Sequence, residues 1–353
     1  MFLELVRGLP ARGWNSVPVV PEVDWLAAAL RDEGFVPPCV AATGRFDISY
    51  ARRLRSIVRR EQISLVQTHL LATSVYATLA CLGTDVPVVS TFHGHPDISR
   101  ADRLAGLKAR ILTRSRNRVV CVSESLRDHF ERSVPFRRDA EVIPNGIDTT
   151  AFSPGRSGRV RAELAISSAT PLVGAIGNIR ASKDYPTLFA AFARVRQAVP
   201  DARLVIAGQG SGSLYENLLR QRTDLGLEGA IGFLGFRSDV ADVLRSLDLF
   251  VLSSSDEGFS LATVQAMATG LPVVATRCGG PEQIVGASGA AVFVSPRDPA
   301  ALAEGMLRVL RDPGLARRLG DAGRTRAVDA FSIERMLDSY SDLYARCLSA
   351  TED

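Results

Sequence analysis

The 353-residue chain has 46% hydrophobic residues, 23% charged residues and a formal net charge of +4. This length exceeds that of a domain with a single ordinary core and suits two domains, and the composition is that of a globular protein. No apolar run reaches the roughly 18 residues of a membrane span, and the first residues lack a secretory signal pattern. Five scattered cysteines, none in a C-x-x-C pair, favour reduced thiols in the cytosol over disulfides or a zinc site.

The first part of the chain is predicted to alternate strands and helices. An amphipathic helix comes first and a strand follows at 16–20, although a doubly wound domain normally begins with a strand. The first strand is therefore expected to be missing, through a truncated or misplaced start or through an unusual sheet. Further strands are predicted at 64–68, 86–91, 118–122 and 140–143.

The segment 142–158 is rich in Pro, Gly, Asn and Ser, and we predict that it joins two α/β domains. Strand-helix alternation resumes beyond it, with Val and Ile on both strand faces, as in buried parallel sheets. After residue 298 only helical periodicity remains. The strands predicted in this part are 172–177, 202–207, 231–234, 249–252, 271–275 and 291–294.

The stretch "DEGFSLATVQAMATGLPVVAT" (256–276) follows one of these strands. Ser260 is predicted to cap a helix that runs to Ala268, and ligands of open α/β sheets bind outside the carboxyl ends of the strands. A glycine loop before a helix N-terminus suits phosphate. Glu257 repels an anion and suits sugar hydroxyls, and Gln265 is expected to face the same crevice. An ordinary loop with an exposed Glu and a core Gln is the alternative.

A second polar loop, in "GAIGNIRASKDYPTLFAAFARV" (174–195), holds Arg180 and Lys183. An arginine fork and a compact ammonium group together suit a diphosphate. Lys183 is one of only two lysines in an arginine-rich chain, a mild sign that lysine itself is needed there. A solvated loop pair is the alternative.

Taken together, these stretches resemble glycosyltransferases of family 4, the group 1 type. The resemblance covers about residues 60–345 in the family's order, and the set of motifs is highly specific. Its main pieces are "STFHGH" (90–95), "VVCVSESLRDHF" (119–130), "VIPNGIDTTAFSP" (142–154), "GNIRASKDYPTL" (177–188), "ARLVIAGQGS" (202–211) and the region 232–285.

The resemblance implies a GT-B fold, with two Rossmann-like doubly wound domains that face a central cleft. Residues 1–148 would form the acceptor-binding domain and 149–330 the sugar-nucleotide domain. Residues 331–353 would form a helix that crosses back to the first domain. The reaction implied is transfer from a nucleotide sugar, with retention, to a glycan, lipid-linked or small-molecule acceptor.

The family's site residues are carried over position by position. Glu257 matches the glutamate that contacts the donor sugar, and Gln265 stands where a second glutamate usually binds the ribose. Arg180 and Lys183 match the diphosphate pair, and His93 matches a histidine near the reacting carbon. The remaining donor-binding positions implied are Gly177, Gly258, Phe259, Ser260, Leu261, Gly280 and Glu282.

The sequence holds no D-x-D motif, so we expect neither a metal nor another cofactor. The alternatives are a weak or inactive sugar-nucleotide binder, suggested by Gln265, and an epimerase of the same fold. A dehydrogenase is disfavoured because no G-x-G-x-x-G follows a strand with an acidic residue further on.

The basic segments 52–60 and 100–118 fit either a solvated face or a peripheral membrane contact, and nothing indicates nucleic-acid binding. His69 could touch an acceptor or have a structural role, whereas His95 and His129 are assigned structural or surface roles.

Overall fold

A computed structural model describes residues 1–22, 25–43, 47–94, 105–114, 116–133 and 140–349. The contacts within the chain define two units. Unit 1 consists of Met1–Gly146 and Ile333–Asp353, and unit 2 consists of Ile147–Ser332. The domain limits predicted from the sequence, after residues 148 and 330, each lie two residues from these limits.

Unit 1 holds a parallel sheet whose four strands in the described residues are ordered β1-β2-β3-β4. Its strands are β1 (Val66–His69), β2 (Val88–Phe92), β3 (Arg118–Cys121) and β4 (Glu141–Val142). Its helices are α1 (Phe2–Gly8), α2 (Trp25–Asp32), α3 (Ile48–Arg60), α4 (Leu71–Cys81), α5 (Ala105–Arg114), α6 (Glu124–Ser133) and the C-terminal α15 (Ile333–Ser349), with a 3-10 turn at Pro10–Arg12. Helix α15 packs Met336, Leu337 and Tyr340 against Val89 and Val120 of the sheet.

The strand predicted at residues 16–20 is wrong. Only Val20 pairs, through a single parallel bridge to Cys39. Pro18 lies inside the predicted strand, and Pro37 and Pro38 precede Cys39 in the partner segment. Proline has no N–H to donate, so a ladder cannot extend along these two segments.

Unit 2 holds a six-stranded parallel sheet of order β10-β9-β8-β5-β6-β7. Its strands are β5 (Leu172–Ile176), β6 (Arg203–Ala207), β7 (Ile231–Gly235), β8 (Leu249–Leu252), β9 (Val273–Thr276) and β10 (Ala291–Val294). Its helices are α7 (Arg159–Glu163), α8 (Tyr185–Ala198), α9 (Gly212–Asp224), α10 (Val240–Ser246), α11 (Leu261–Ala268), α12 (Gly280–Val285), α13 (Pro299–Arg311) and α14 (Pro313–Phe331), with 3-10 turns at Ala181–Lys183 and Gly286–Ser288. The predicted α/β architecture of doubly wound parallel sheets is confirmed.

Two apolar clusters, one on each face of this sheet, form the core of unit 2. One contains Leu188 and Phe192 of α8, and the other contains Val264 and Met267 of α11. Because both faces are covered, the strands are apolar throughout, and polar side chains collect where the strands end. The strand order reverses between β5 and β8, the position at which open α/β sheets bind ligands.

Candidate active site

The loops that follow β5 and β8 lie side by side in unit 2 and are joined by hydrogen bonds. The Ser253 hydroxyl donates to the carbonyl of Lys183 at 2.8 Å, and the Ser255 N–H donates to the carbonyl of Ser182 at 2.8 Å. These two loops carry Arg180, Lys183 and Glu257. The reversal of strand order thus brings together two motifs that are about 75 residues apart in the chain.

An ion pair links the two loops. The Nζ of Lys183 donates to Oε1 of Glu257 at 2.5 Å, and the hydroxyl of Ser254 donates to the same oxygen at 2.8 Å. The side chains of Lys183 and Glu257 are 17% and 14% exposed. Such a pair is partly screened from water, so its electrostatic interaction is stronger than that of an exposed pair. Both charges remain open enough to meet a ligand.

The loop after β5 has a backbone that depends on glycine. Gly177 has φ +149°, and a Cβ there would lie 2.7 Å from Cε of Lys183. The Tyr185 hydroxyl donates to the Gly177 carbonyl at 2.7 Å, and burial raises the pKa of Tyr185. At Gly208 a Cβ would come within 2.1 Å of the same carbonyl. The loop that presents Lys183 is therefore held by close backbone packing.

Arg180 lies just before the 3-10 turn that carries Lys183. Its side chain is exposed and forms no ion pair or hydrogen bond with any residue that the structure describes. The only link to Lys183 is through the backbone, where the Lys183 N–H donates to the Arg180 carbonyl at 3.0 Å. Lys183 is thus already paired, whereas Arg180 is available to an anion.

Helix α11 begins as the sequence predicts. The Ser260 hydroxyl caps it by accepting from the Thr263 N–H at 3.3 Å, and the helix ends at Ala268 before Gly270 at φ +72°. Phe259 packs edge-on against Phe331 with ring centroids 5.8 Å apart, and Leu261 is 38% exposed.

Gln265 lies on α11 between buried neighbours and is itself half-buried. Within the described part of the chain, its side-chain amide has no hydrogen-bond partner. Because no hydrogen bond to a described residue has to be broken, this side chain can take a ligand hydroxyl.

The segment around Gly280 supports the glutamate loop. The Gly280 N–H donates to the Glu257 carbonyl at 2.8 Å, and a Cβ at Gly280 would lie 2.8 Å from that oxygen and 3.0 Å from the Gly258 carbonyl. Glu282 turns back and accepts from the N–H groups of Cys278 at 3.2 Å and Gly279 at 2.9 Å. In the structure, Glu282 therefore positions the loop.

His93 belongs to unit 1 and follows β2. Its Nε2 lies 3.0 Å from Nδ1 of His69, the last residue of β1. His129 lies on α6, and His95 lies outside the described residues.

The basic segment 52–60 lies on α3. Arg53 pairs with Asp47, and Arg55 donates to the Leu82 carbonyl, whereas Arg52 and Arg59 are exposed and form no ion pair with a described residue. Of the segment 100–118, residues 100–104 and 115 lie outside the described residues. Among the helices that are described, none is long and apolar enough to cross a bilayer.

Sequence reasoning missed Ser254 and Tyr185, which hold Glu257 and the Gly177 carbonyl. Ser254 follows directly after β8, where a polar residue at a strand end is a usable signal. Tyr185 is 2% exposed at the start of α8, and only its packing reveals its role.

Comparison with known proteins identifies the family. Residues 1–151 match the model of Glycosyltransferase Family 4, and residues 158–326 match that of Glycosyl transferases group 1. The chain belongs to the group 1 glycosyltransferases of family 4. As a member of this family, it is a glycosyltransferase that uses a nucleotide-sugar donor.

Two curated relatives match along most of the chain. N-acetyl-alpha-D-glucosaminyl L-malate synthase of Bacillus anthracis is 26% identical over 304 residues, which are 85% of this chain and 79% of that protein. UDP-Gal:alpha-D-GlcNAc-diphosphoundecaprenol alpha-1,3-galactosyltransferase of Escherichia coli is 27% identical over 345 residues, which are 92% of this chain and 86% of that protein. The two names describe different acceptors.

Solved structures of glycosyltransferases share the fold. A glycosyltransferase from Rickettsia africae has a TM-score of 0.88 at 20% identity, covering 98% of this chain and 93% of that one. Anabaena HepE in complex with UDP has a TM-score of 0.84 at 20% identity, covering 98% and 95%. The predicted GT-B fold is thereby confirmed.

Proposed function

We propose that this glycosyltransferase moves a sugar from a nucleotide-sugar donor to a glycan, lipid-linked or small-molecule acceptor, with retention and without a metal or other cofactor. The observation that carries the proposal is the Lys183–Glu257 pair at the β5/β8 reversal, with Arg180, which has no side-chain partner among the described residues, in the same loop as Lys183. A cation next to a carboxylate suits a ligand whose diphosphate adjoins its sugar hydroxyls.

Lys183 and Arg180 would hold the diphosphate. The leaving nucleoside diphosphate gains negative charge as the bond to the sugar breaks, and fixed cations stabilise that charge. The backbone N–H groups at the start of α11, near Ser260, add a favourable dipole. Gly177, Gly258 and Gly280 permit close approach of the ligand because they carry no side chain.

Glu257 would contact the donor sugar. As the diphosphate draws Lys183 towards itself, the Ser254 hydroxyl still holds the Glu257 carboxylate in place. Phe259 and Leu261 border the same loop, and Glu282 keeps its backbone in position. Gln265, whose amide has no partner among the described residues, would receive a ribose hydroxyl.

Retention without a protein nucleophile requires that the acceptor hydroxyl attacks the anomeric carbon from the same face that the phosphate leaves. The bond from the acceptor oxygen to the anomeric carbon forms as the bond to the phosphate oxygen breaks, and that oxygen takes the acceptor's proton. From unit 1, we assign His93 a part in the transfer, and we assign acceptor binding to that unit.

Two features support a lipid-linked acceptor. The E. coli relative acts on a diphosphoundecaprenol-linked sugar, and α3 of this chain presents the exposed Arg52 and Arg59. Clustered arginines attract an anionic membrane surface. We therefore place the protein in the cytoplasm with peripheral membrane contact. Vesicle flotation with and without anionic lipid tests this, and equal flotation in both would contradict it.

The donor can be identified by calorimetric titration with UDP-, GDP-, ADP- and dTDP-sugars. UDP-sugars should be titrated first, because HepE has been crystallised with UDP-glucose. Binding of one series, followed by a product whose anomeric proton coupling shows the donor's configuration, supports the proposal. An inverted product would contradict retention.

Metal independence has its own test. Transfer should be unchanged in excess EDTA, because Arg180 and Lys183 supply the positive charge. Loss of transfer that magnesium or manganese restores would contradict a metal-free reaction.

An inactive sugar-nucleotide binder is the second candidate, and Gln265 favours it because an amide holds a ribose more weakly than a carboxylate. Donor binding without a glycoside product, over a panel of acceptors, would favour this candidate. Release of free nucleotide with an altered sugar and no acceptor would instead indicate an epimerase.

A further inference from the structure

Two imidazole rings meet at the carboxyl edge of the unit 1 sheet. His69 ends β1 and His93 follows β2, its parallel neighbour. Nδ1 of His69 lies 3.0 Å from Nε2 of His93, and the two ring planes differ by 26° with centroids 5.2 Å apart. A hydrogen bond at this distance requires that one nitrogen carries the proton and the other does not.

His69 has a second ring contact and a constrained backbone besides its contact with His93. The ring of Phe2 meets it edge-on with centroids 5.7 Å apart. The next residue, Leu70, has φ +73°, a conformation that residues with a side chain rarely adopt, and its N–H donates to the Thr91 carbonyl at 3.0 Å. The ring and the backbone of His69 therefore have little freedom to reorient.

The hydrogen bond in this pair depends on which ring nitrogens bear hydrogen. Burial, and secondly the neighbouring His93, lower the pKa of His69 to about 3, so its ring is neutral near pH 7. The Nδ1 of this neutral ring can accept a hydrogen bond from Nε2 of His93 when that nitrogen bears hydrogen. In the neutral pair, the hydrogen bond couples the two tautomers, since Nε2 of His93 bears hydrogen only when Nδ1 of His69 does not.

We propose that His69 is a positioning residue for His93, which it orients and holds in one tautomer through the Nδ1–Nε2 hydrogen bond. The proposal rests on the proposed function, in which His93 takes part in sugar transfer. His69 itself is half-buried, contacts Phe2 and His93, and acts through its partner. Acid-base side chains in many sites are oriented by such a second group.

Two variants separate hydrogen bonding from packing. His69→Phe keeps a ring against Phe2 but removes the hydrogen bond, whereas His69→Asn replaces Nδ1 by an amide group of similar reach. His69→Phe should lower kcat by about 10²-fold, the effect of a misplaced reacting group, and leave the donor KM unchanged. His69→Asn should keep most of the rate. Equal loss in both variants, in step with their melting temperatures, would overturn the proposal.

A second measurement does not depend on activity. The ¹⁵N shifts of the His93 ring should indicate one tautomer in the wild type and in His69→Asn, and a mixture in His69→Phe. If His69→Phe does not fold, the wild type alone tests the proposal, because a ¹⁵N–¹⁵N scalar coupling across the Nδ1–Nε2 hydrogen bond should be detectable. A mixed His93 tautomer in the wild type, or no such coupling, contradicts the proposal.

The two proposals can fail separately. A wild type with one His93 tautomer that depends on His69, but with no transfer to any acceptor, refutes the proposed function and leaves the His69 contact supported. A transferase whose His69→Phe variant keeps both its kcat and its His93 tautomer refutes the role of His69 alone.

Discussion

Each unit places two side chains at the carboxyl ends of adjacent parallel strands, but the two pairs differ in charge. In unit 2 the opposite charges of Lys183 and Glu257 attract, with 2.5 Å between Nζ and Oε1. In unit 1 the two imidazoles of His69 and His93 cannot both be charged without repulsion, and His69 stays neutral. The first pair suits a charged ligand, and the second suits the handling of a single proton.

The difference has a cost for each pair. A diphosphate must compete with Glu257 for Lys183, so part of its attraction offsets the loss of an existing ion pair. A ligand of His93 meets a ring that is already hydrogen-bonded to His69, and it must accept the tautomer that this bond allows. Variants of each pair therefore test the comparison.

The largest effect is expected for Glu257→Gln. The amide has the shape of the carboxylate and can still accept a hydrogen bond from Ser254. It carries no negative charge, however, so it cannot stabilise the positive charge that develops on the sugar in the transition state. We expect kcat to fall by roughly 10²- to 10³-fold, with the donor Kd unchanged or lower, because a neighbouring anion is gone. Steady-state kinetics with calorimetry measures both quantities.

Asp256→Asn is the matched control for that variant, since it removes an exposed charge from the adjacent residue. It should change kcat little. A loss in Glu257→Gln that lies wholly in the donor KM would show that Glu257 only binds the donor.

The next effect is expected for the cations. Lys183→Met should weaken nucleoside diphosphate binding by roughly 10- to 100-fold, the value of a hydrogen bond to a charged group. Arg180→Ala should weaken it less, because its side chain is exposed to water and salt. Calorimetry with the free nucleoside diphosphate measures the contribution of these cations to diphosphate binding without any contribution from the sugar.

Arg317→Ala, which removes another exposed arginine of unit 2, is the control for lost net charge. Unchanged affinity in both Lys183→Met and Arg180→Ala would refute the diphosphate assignment.

How far the sequence could predict these pairs depends on the order of the strands. The predicted strands of unit 2 agree closely with β5 to β10, and Ser260 caps α11 as predicted. The Lys183–Glu257 contact depends on β8 lying beside β5, although β6 and β7 come between them in the chain. Local periodicity carries no information on that order, so only the family resemblance pointed to a shared site.

Unit 1 shows the opposite case. β1 and β2 are consecutive in the chain and adjacent in the sheet. The proximity of the histidines at their ends could therefore have been predicted from the strand order along the chain. The sequence nevertheless suggested only an acceptor contact or a structural role for His69. The hydrogen bond to His93 and the lowered pKa of His69 depend on how the folded chain packs around this ring, which residue spacing does not reveal.

The neutral state of His69 predicts a dependence of stability on pH. Its pKa is about 3 when folded and about 6.5 when unfolded, so the unfolded chain binds a proton that the folded chain excludes. The stabilisation is complete above pH 6.5 and is lost as the pH falls towards 3. This group adds at most about 1.4 kcal/mol per pH unit to the decline.

Urea unfolding between pH 7 and 4 measures this decline. It should be shallower in His69→Phe than in the wild type, whereas His129→Gln, a change on α6, serves as the control. An identical slope in His69→Phe and the wild type would mean that His69 titrates normally in the folded protein, and the contrast with the Lys183–Glu257 pair would disappear.

The smallest effect is expected for Gln265→Glu. The side chain has no partner among the described residues, so the substitution breaks no hydrogen bond and is nearly isosteric. A carboxylate would accept stronger hydrogen bonds from ribose hydroxyls, but its burial on α11 disfavours the charged form and offsets part of the gain. We expect nucleoside diphosphates to bind a few-fold tighter, roughly the difference between a neutral and a charge-assisted hydrogen bond. The gain should shrink with a 2′-deoxy analogue. Equal or weaker binding of every nucleoside diphosphate would mean that the ribose does not lie at Gln265, and the inactive-binder candidate would then gain support over the enzyme.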